Sequence, residues 1–305
     1  MLARRRLALL VVPFATLAVA ACGSSKSGGP SIGSQPTGVA GSPTASGAGG
    51  SDAASLVPAK YKSAGTLTVA ADASYAPNEF IAKDGKTVVG MDADLAKAIG
   101  EKLGLQVKVV NATFNTILAG INADRYQLGM SSFTDTKARE KQVDFVTYFN
   151  AGTSFFEKNG GPTVNTLDDL CGLTVSVESG TTQETDANAQ SKKCTDAGKK
   201  AVTVSAFPDQ SKANLALSSG RAQVSMADSP VAAYQVKQSN GAFALVGQPY
   251  GQAPYGIAMA KNGLAPAVQA ALKELIADGT YTQILTTWGI QDGAITDPVI
   301  NGAQS

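Results

Sequence analysis

An arginine at position 139, aspartates at 72 and 228, and hydroxyls at Ser131, Ser132, Thr134, Thr181 and Thr182 make a donor and acceptor set suited to a zwitterion. A guanidinium holds a carboxylate through two parallel hydrogen bonds. Threonine hydroxyls and the free N–H groups at a helix start add donors for the same anion. An aspartate is the natural partner of an ammonium. Other chemistries are ruled out. The chain has no histidine, which excludes His-dependent triads, HExxH zinc sites and imidazole acid/base steps. Gly85-Lys86-Thr87 lacks the upstream glycine of a phosphate-binding loop. No serine stands three positions before a lysine. No cofactor and no metal are expected.

The polar residues follow short β-type runs, each leading toward a helical stretch. Residues 67–71, 86–89, 106–110 and 127–130 read as strands in the first half of the body. After 92–94, Leu95, Ile99 and Leu103 recur at i, i+4 and i+8 on one helix face. Asp92 or Asp94 caps that helix, and Gly104 ends it. Residues 113–123 and 134–142 read as further helices. The pattern restarts after Phe155. Strands at 173–177, 202–204 and 224–226 alternate with helices that begin at Gly180-Thr181-Thr182, Asp209 and Pro230. Residues 265–279 and 281–288 close the body as two helices, with the single tryptophan, Trp288, packed in the core. Strands alternating with helices imply an α/β fold with parallel pairs. In such sheets ligands bind beyond the carboxyl ends of the strands, where Asp72, Ser131, Thr181 and Asp228 stand.

The first residues read as an address. Arg4-Arg5-Arg6 precedes an apolar run from 7 to 19, and then Val19-Ala20-Ala21-Cys22. That is a signal-peptide layout ending in small residues, and it looks like a lipobox in which Cys22 carries the lipid. A plain signal peptide and a transmembrane helix are the other readings, although the run is short for a span of about 20 residues. Residues 23–58 are nearly all Gly, Ser, Ala, Pro and Thr through about Ser55, too polar and small to order themselves. As a flexible linker they reach roughly 30 Å. Cys171 and Cys194 are an even pair in an exported body and read as a disulfide. Without the first 55 residues the chain carries 21 basic and 23 acidic groups, no footprint for nucleic acid.

The segments Ala71-Asp72-Ala73-Ser74-Tyr75-Ala76-Pro77, Gly90-Met91-Asp92-Ala93-Asp94-Leu95-Ala96, Gly129-Met130-Ser131-Ser132-Phe133-Thr134 with Arg139, Val143-Asp144-Phe145, Gly180-Thr181-Thr182-Gln183, Ala227-Asp228-Ser229-Pro230 and Pro254-Tyr255-Gly256-Ile257-Ala258 follow one another at telling intervals. In this order the chain resembles bacterial extracellular solute-binding proteins of family 3, the polar-amino-acid class that feeds ABC importers. The resemblance implies a two-lobed, periplasmic-binding-protein-like fold with a hinge and a ligand cleft between lobes. Lobe 1 would comprise 59–150 and 254–305, and lobe 2 151–253. It implies Arg139 on the ligand α-carboxylate, Thr182 assisting, Asp228 on the α-ammonium, and Ser132 and Thr134 as further contacts. Tyr75 and Phe114 would wall the side chain, and Asp72 would face it.

Three departures stand out. Asn78 replaces a usual Phe. Val146-Thr147-Tyr148-Phe149 replaces a Ser-Asp-Pro-Tyr type run. Glu178 stands where the family carries an apolar residue or a lysine, and with Asp72 it tilts the choice toward a cationic side chain. Plainer readings exist for each residue. Arg139 can be a surface charge, Asp228 a helix N-cap and Asp72 a turn residue. Glu178 can face solvent, and Tyr75 and Phe114 can be core. The functional readings are a monomeric amino-acid receptor for an ABC permease, a dehydratase-type enzyme on the same fold, or a sensing module for a separate receptor.

Overall fold

The computed structural model describes residues 52–304. The expected signal peptide, Cys22 and most of the expected linker lie outside the described residues. The linker was expected to run to residue 58, but the chain is folded from Asp52. Helix α1 (Asp52–Ser55) lays Ala53 into the core, Val57 follows it, and α2 (Ala59–Ala64) adds Tyr61. Three apolar contacts in a polar stretch anchor it where composition alone predicts disorder.

From there the chain builds β1 (Thr66–Ala71), a small meander of β2 (Ser74–Tyr75), β3 (Glu79–Ile81) and β4 (Val88–Val89), then α3 (Met91–Leu103), β5 (Gln106–Asn111), α4 (Phe114–Asn122) and β6 (Leu128–Gly129). The short α5 (Lys137–Glu140) leads into β7 (Asp144–Lys158). The second half runs β8 (Thr174–Glu178), α6 (Thr182–Asp196), β9 (Thr203–Phe207), α7 (Gln210–Ser218), β10 (Val224–Asp228) and α8 (Ser229–Gln238). The chain then returns through β11 (Phe243–Met259) to α9 (Ala265–Ala277) and α10 (Thr280–Trp288).

One eight-stranded sheet runs in the order β5-β1-β6-β11-β7-β10-β8-β9. Its two flanks are parallel, β5-β1-β6 on one side and β10-β8-β9 on the other. Between them β7 and β11 lie antiparallel to each other and pass from one flank to the other. The two halves keep separate cores. Leu67, Val69, Leu95, Ile99 and Leu272 fill the first, and Phe155, Val175, Val177, Val224 and Met226 the second. Cys171 and Cys194 are disulfide-bonded, joining the approach to β8 with the last turn of α6.

Three elements differ from expectation. Helix α3 buries Leu95, Ile99 and Leu103 and ends at left-handed Gly104 as read, but Gly90 is its N-cap. Gly90 has φ 128°, and a Cβ there would sit 2.2 Å from the Asn78 carbonyl oxygen. Asp92 is therefore inside the first turn, fully buried and turned toward Ser132 and Tyr148. The helix expected over 134–142 shrinks to α5, because Thr134 bridges Tyr255 and the Asp135 amide donates to the Pro254 carbonyl. Trp288 is only partly buried. It packs against the first core, lies edge-on to Phe80, and its Nε1 donates to Asp94.

Candidate ligand-binding site

A small cavity lies between the halves. From the first half Asp72, Tyr75, Phe114, Ser131, Ser132, Thr134 and Arg139 line it. Glu178, Thr181, Thr182 and Asp228 line it from the second. Every residue singled out in the sequence for this role thus faces one space. Most close a strand, follow one or open a helix, whereas Tyr75 lies in β2 and Arg139 within α5.

Arg139 is held by a stack. Phe114 and Phe133 lie ring on ring at 4.4 Å, and the guanidinium sits over both, 5.5 and 5.4 Å from their centroids. It donates to the Thr134 carbonyl at 2.7 Å and, across the cleft, to the Gly180 carbonyl at 3.1 Å. Both acceptors are neutral, and among the described residues Arg139 enters no ion pair. Burial lowers its pKa to about 10, against the opposing pull of Asp228 and Asp135. A cation over aromatic faces, hydrogen-bonded only to neutral carbonyls, keeps donors chemically suited to a carboxylate. Gly180 is left-handed, with φ 85°, and a Cβ there would come 2.7 Å from Asn115 of the first half. Glycine is what lets the halves approach at this point.

Asp228 occupies the N-cap position of α8, but its side chain does not cap the helix. Its carboxylate instead accepts from Gln183 Nε2 and from the Tyr255 hydroxyl, both at 2.7 Å. Its amide donates to the Tyr75 hydroxyl across the cleft at 3.0 Å. Burial raises its pKa to about 6, although those donors and Arg139 pull the other way.

Asp72 accepts from the Phe114 amide at the start of α4, and its own amide donates to Ser131 Oγ. Burial raises its pKa. Glu178 is not solvent-facing; it is 2 % exposed. Burial, with Asp72, Asp209 and Asp228 nearby, holds its carboxyl well above the ordinary range. Its Oε1 finds no hydrogen-bond partner among the described residues. Thr181 caps α6, accepting from the Glu184 amide and donating to the Glu178 carbonyl, and Thr182 opens the helix beside it.

Sequence reading missed two lining residues, Glu79 and Gln183. Glu79 is fully buried and accepts from the Ser131 and Ser132 hydroxyls. Burial and neighbouring Asp92 push its pKa well up. Ser132 carries a left-handed φ of 50°, a conformation a serine adopts at some cost. The Asp92 carboxylate holds its amide there at 2.9 Å. Asn78, where the family has Phe, donates to Ser132 Oγ from behind and does not line the cavity. Gln183 could have been found as the next residue after Thr182. Glu79 carries no such signal, since an acid beside a short strand reads as surface.

Residues 67–291 match the model of bacterial extracellular solute-binding proteins, family 3. The arginine-binding protein ArgT of Corynebacterium glutamicum is 34 % identical over 248 residues, covering 81 % of each chain. Among solved structures, an ancestral arginine-binding protein bound to arginine superposes with a TM-score of 0.68 at 37 % identity, covering 73 % of this chain and 98 % of its own. The same type of ancestral protein bound to glutamine gives 0.68 at 36 %, covering 74 % and 98 %. The fold is thus the two-lobed, hinged fold of solute-binding proteins, with the cleft between its lobes. The chain belongs to the family 3 extracellular solute-binding proteins, whose members matched here bind amino acids. No helix among the described residues is long and apolar enough to cross a membrane.

Proposed function

We propose that the chain is the receptor of an ABC importer and carries an amino acid with a cationic side chain between its lobes. One observation carries this reading: a single cavity holds an arginine that enters no ion pair among the described residues, together with four buried acids, Asp72, Glu79, Glu178 and Asp228. Arg139, with the start of α6 at Thr181 and Thr182, takes the α-carboxylate. Asp228 takes the α-ammonium. Asp72 and Glu178 face the side-chain cation, and Tyr75 and Phe114 flank its stem. A neutral side chain with no donor would leave both acids protonated and Glu178 Oε1 still without a partner, which is costly. A cation draws both toward ionisation. The arginine-binding relatives support the choice.

In this reading the lobes are 59–150 with 254–305, and 151–253, extended at the start by α1. Both contribute to the ligand, so ligand favours the closed form by its differential affinity for it. A permease in the membrane reads that form. Cys22 carries the lipid that keeps the receptor, a monomer, at the outer membrane face. The protein acts by binding rather than by turnover. A micromolar ligand corresponds to about −8 kcal/mol. A thermal-shift screen of the twenty amino acids and ornithine tests the reading. L-arginine, L-lysine or ornithine at 1,000 times Kd adds about 4 kcal/mol and raises Tm visibly. No stabilisation by any of them at millimolar concentration overturns it.

A further inference from the structure

Arg139 rides on α5, four residues long. An isolated turn of helix has almost no stability of its own. Its N-cap, Thr136, gives it one side-chain bond at 3.3 Å. Something else must fix it, and the segment 299–303 is built to do so. This segment first runs along β7. The Thr147 amide donates to the Val299 carbonyl, and the Val299 amide to Thr147 Oγ1, both at 2.9 Å. The Asn301 amide donates to the Phe145 carbonyl, and the Phe145 amide returns to Asn301 Oδ1, again at 2.9 Å. At Asn301 the backbone turns left-handed, φ 56°, and leaves the strand edge. The next two amides then straddle α5. Gly302 donates to Asp135 Oδ2 at 2.8 Å and Ala303 to Glu140 Oε1 at 3.0 Å. One acceptor lies four residues before Arg139 and the other one residue after it.

The contact is built rather than incidental. Asp135 is 1 % exposed; its Oδ1 has no hydrogen-bond partner among the described residues, which makes the Gly302 amide on Oδ2 the more valuable. A Cβ at Gly302 would lie 2.6 Å from Val299 Cγ2 and 2.8 Å from Thr147 Cγ2. A side chain at 302 would have to displace those two methyl groups.

We infer that the segment 299–303, gripping Asp135 and Glu140, is a strap that positions Arg139 for the ligand carboxylate. Asp135 and Gly302 are thus positioning residues and touch no ligand. This inference rests on the reading that Arg139 binds an α-carboxylate. The test is calorimetry on the wild-type chain, Asp135→Ala and Gly302→Val, titrated with L-arginine and with L-argininamide, which lacks the α-carboxylate charge. The wild type binds L-arginine much more tightly than the amide. In either variant L-arginine weakens at least about fivefold while the amide is almost unchanged, so the ratio contracts. Equal weakening of both ligands, or no weakening in a folded Asp135→Ala, overturns the strap. A wild type that binds neither ligand, or does not prefer the carboxylate, overturns the underlying reading instead. Gly302→Val strains packing and can fail to fold; Asp135→Ala removes the acceptor without adding bulk, and its result stands alone.

Discussion

At the scale of single residues, the cleft is a set of charges placed before their partners arrive. Arg139 is held by two neutral carbonyls and two aromatic faces, so its remaining N–H donors and its charge are left for an anion. Arg139→Met should weaken L-arginine binding by about 2–5 kcal/mol, the usual cost of truncating one partner of a buried charge pair. Its melting temperature should change little. Glu178→Gln tests the other end. It should weaken L-arginine while sparing or improving L-glutamine, read as the ratio of the two Kd values by calorimetry. Unchanged selectivity would remove Glu178 from the side-chain subsite. Asp228 was legible in the sequence because it closes a strand in an α/β alternation, where ligands bind, and Arg139 because its segment resembles the family's. Glu79 was not. Its role depends on Ser131 and Ser132 reaching it from 52 and 53 residues away, and no local pattern encodes such a contact.

At the scale of elements, helices were easier to read than the strands that join the halves. Caps and stripes act within one or two turns, so α4, α6, α7 and α8 begin where Thr113, Thr181, Asp209 and Pro230 signal. The longest strands, β7 and β11, escaped notice. β11 contains Gly247, Pro249, Gly251, Pro254 and Gly256, residues that locally spell turns. They are tolerated because they fall at or beside shifts in register between the two strands. The N-cap of α3 was misread for a related reason. Two aspartates advertise a cap, but the close approach of the Asn78 carbonyl reserves that position for glycine. The disulfide is an element-scale device. It ties the far end of α6, whose near end carries Thr181 and Thr182, across a sequence separation of 23. Replacing both cysteines with serine should cost about 2–4 kcal/mol. A urea midpoint that falls for the variant and for the reduced wild type alike checks it.

For the whole molecule, the buried acids set a pH dependence with a definite sign. Burial raises Asp92, Asp135 and Asp228 to about 6, and it holds Glu79 and Glu178 well above the ordinary carboxylate range. Between the ordinary carboxylate range and these raised values the folded chain binds more protons than the unfolded chain. Its stability therefore falls as pH rises through that window. The depressed groups act elsewhere: Asp278, lowered to about 2 by Lys102, matters only in acid. Ligand-free protein should lose roughly 5 °C or more of Tm between pH 5 and pH 8. Affinity for L-arginine should move oppositely and tighten over the same range, because Asp228 must be ionised to meet an ammonium. Calorimetric and thermal curves that run in parallel would contradict the assignment of these acids to the ligand.

The halves are joined by two strands laddered to each other. A single strand can swivel about its own backbone bonds. Two that share hydrogen bonds must bend together, and β7 and β11 offer that bend at the register shifts around Tyr250, Ala253 and Tyr255. Opening is thereby reduced to nearly one coordinate, an angle. Whatever docks against both halves at once can tell a laden molecule from an empty one by that angle alone, without reaching the cargo. One docking surface can then serve for every cargo that fits the cleft.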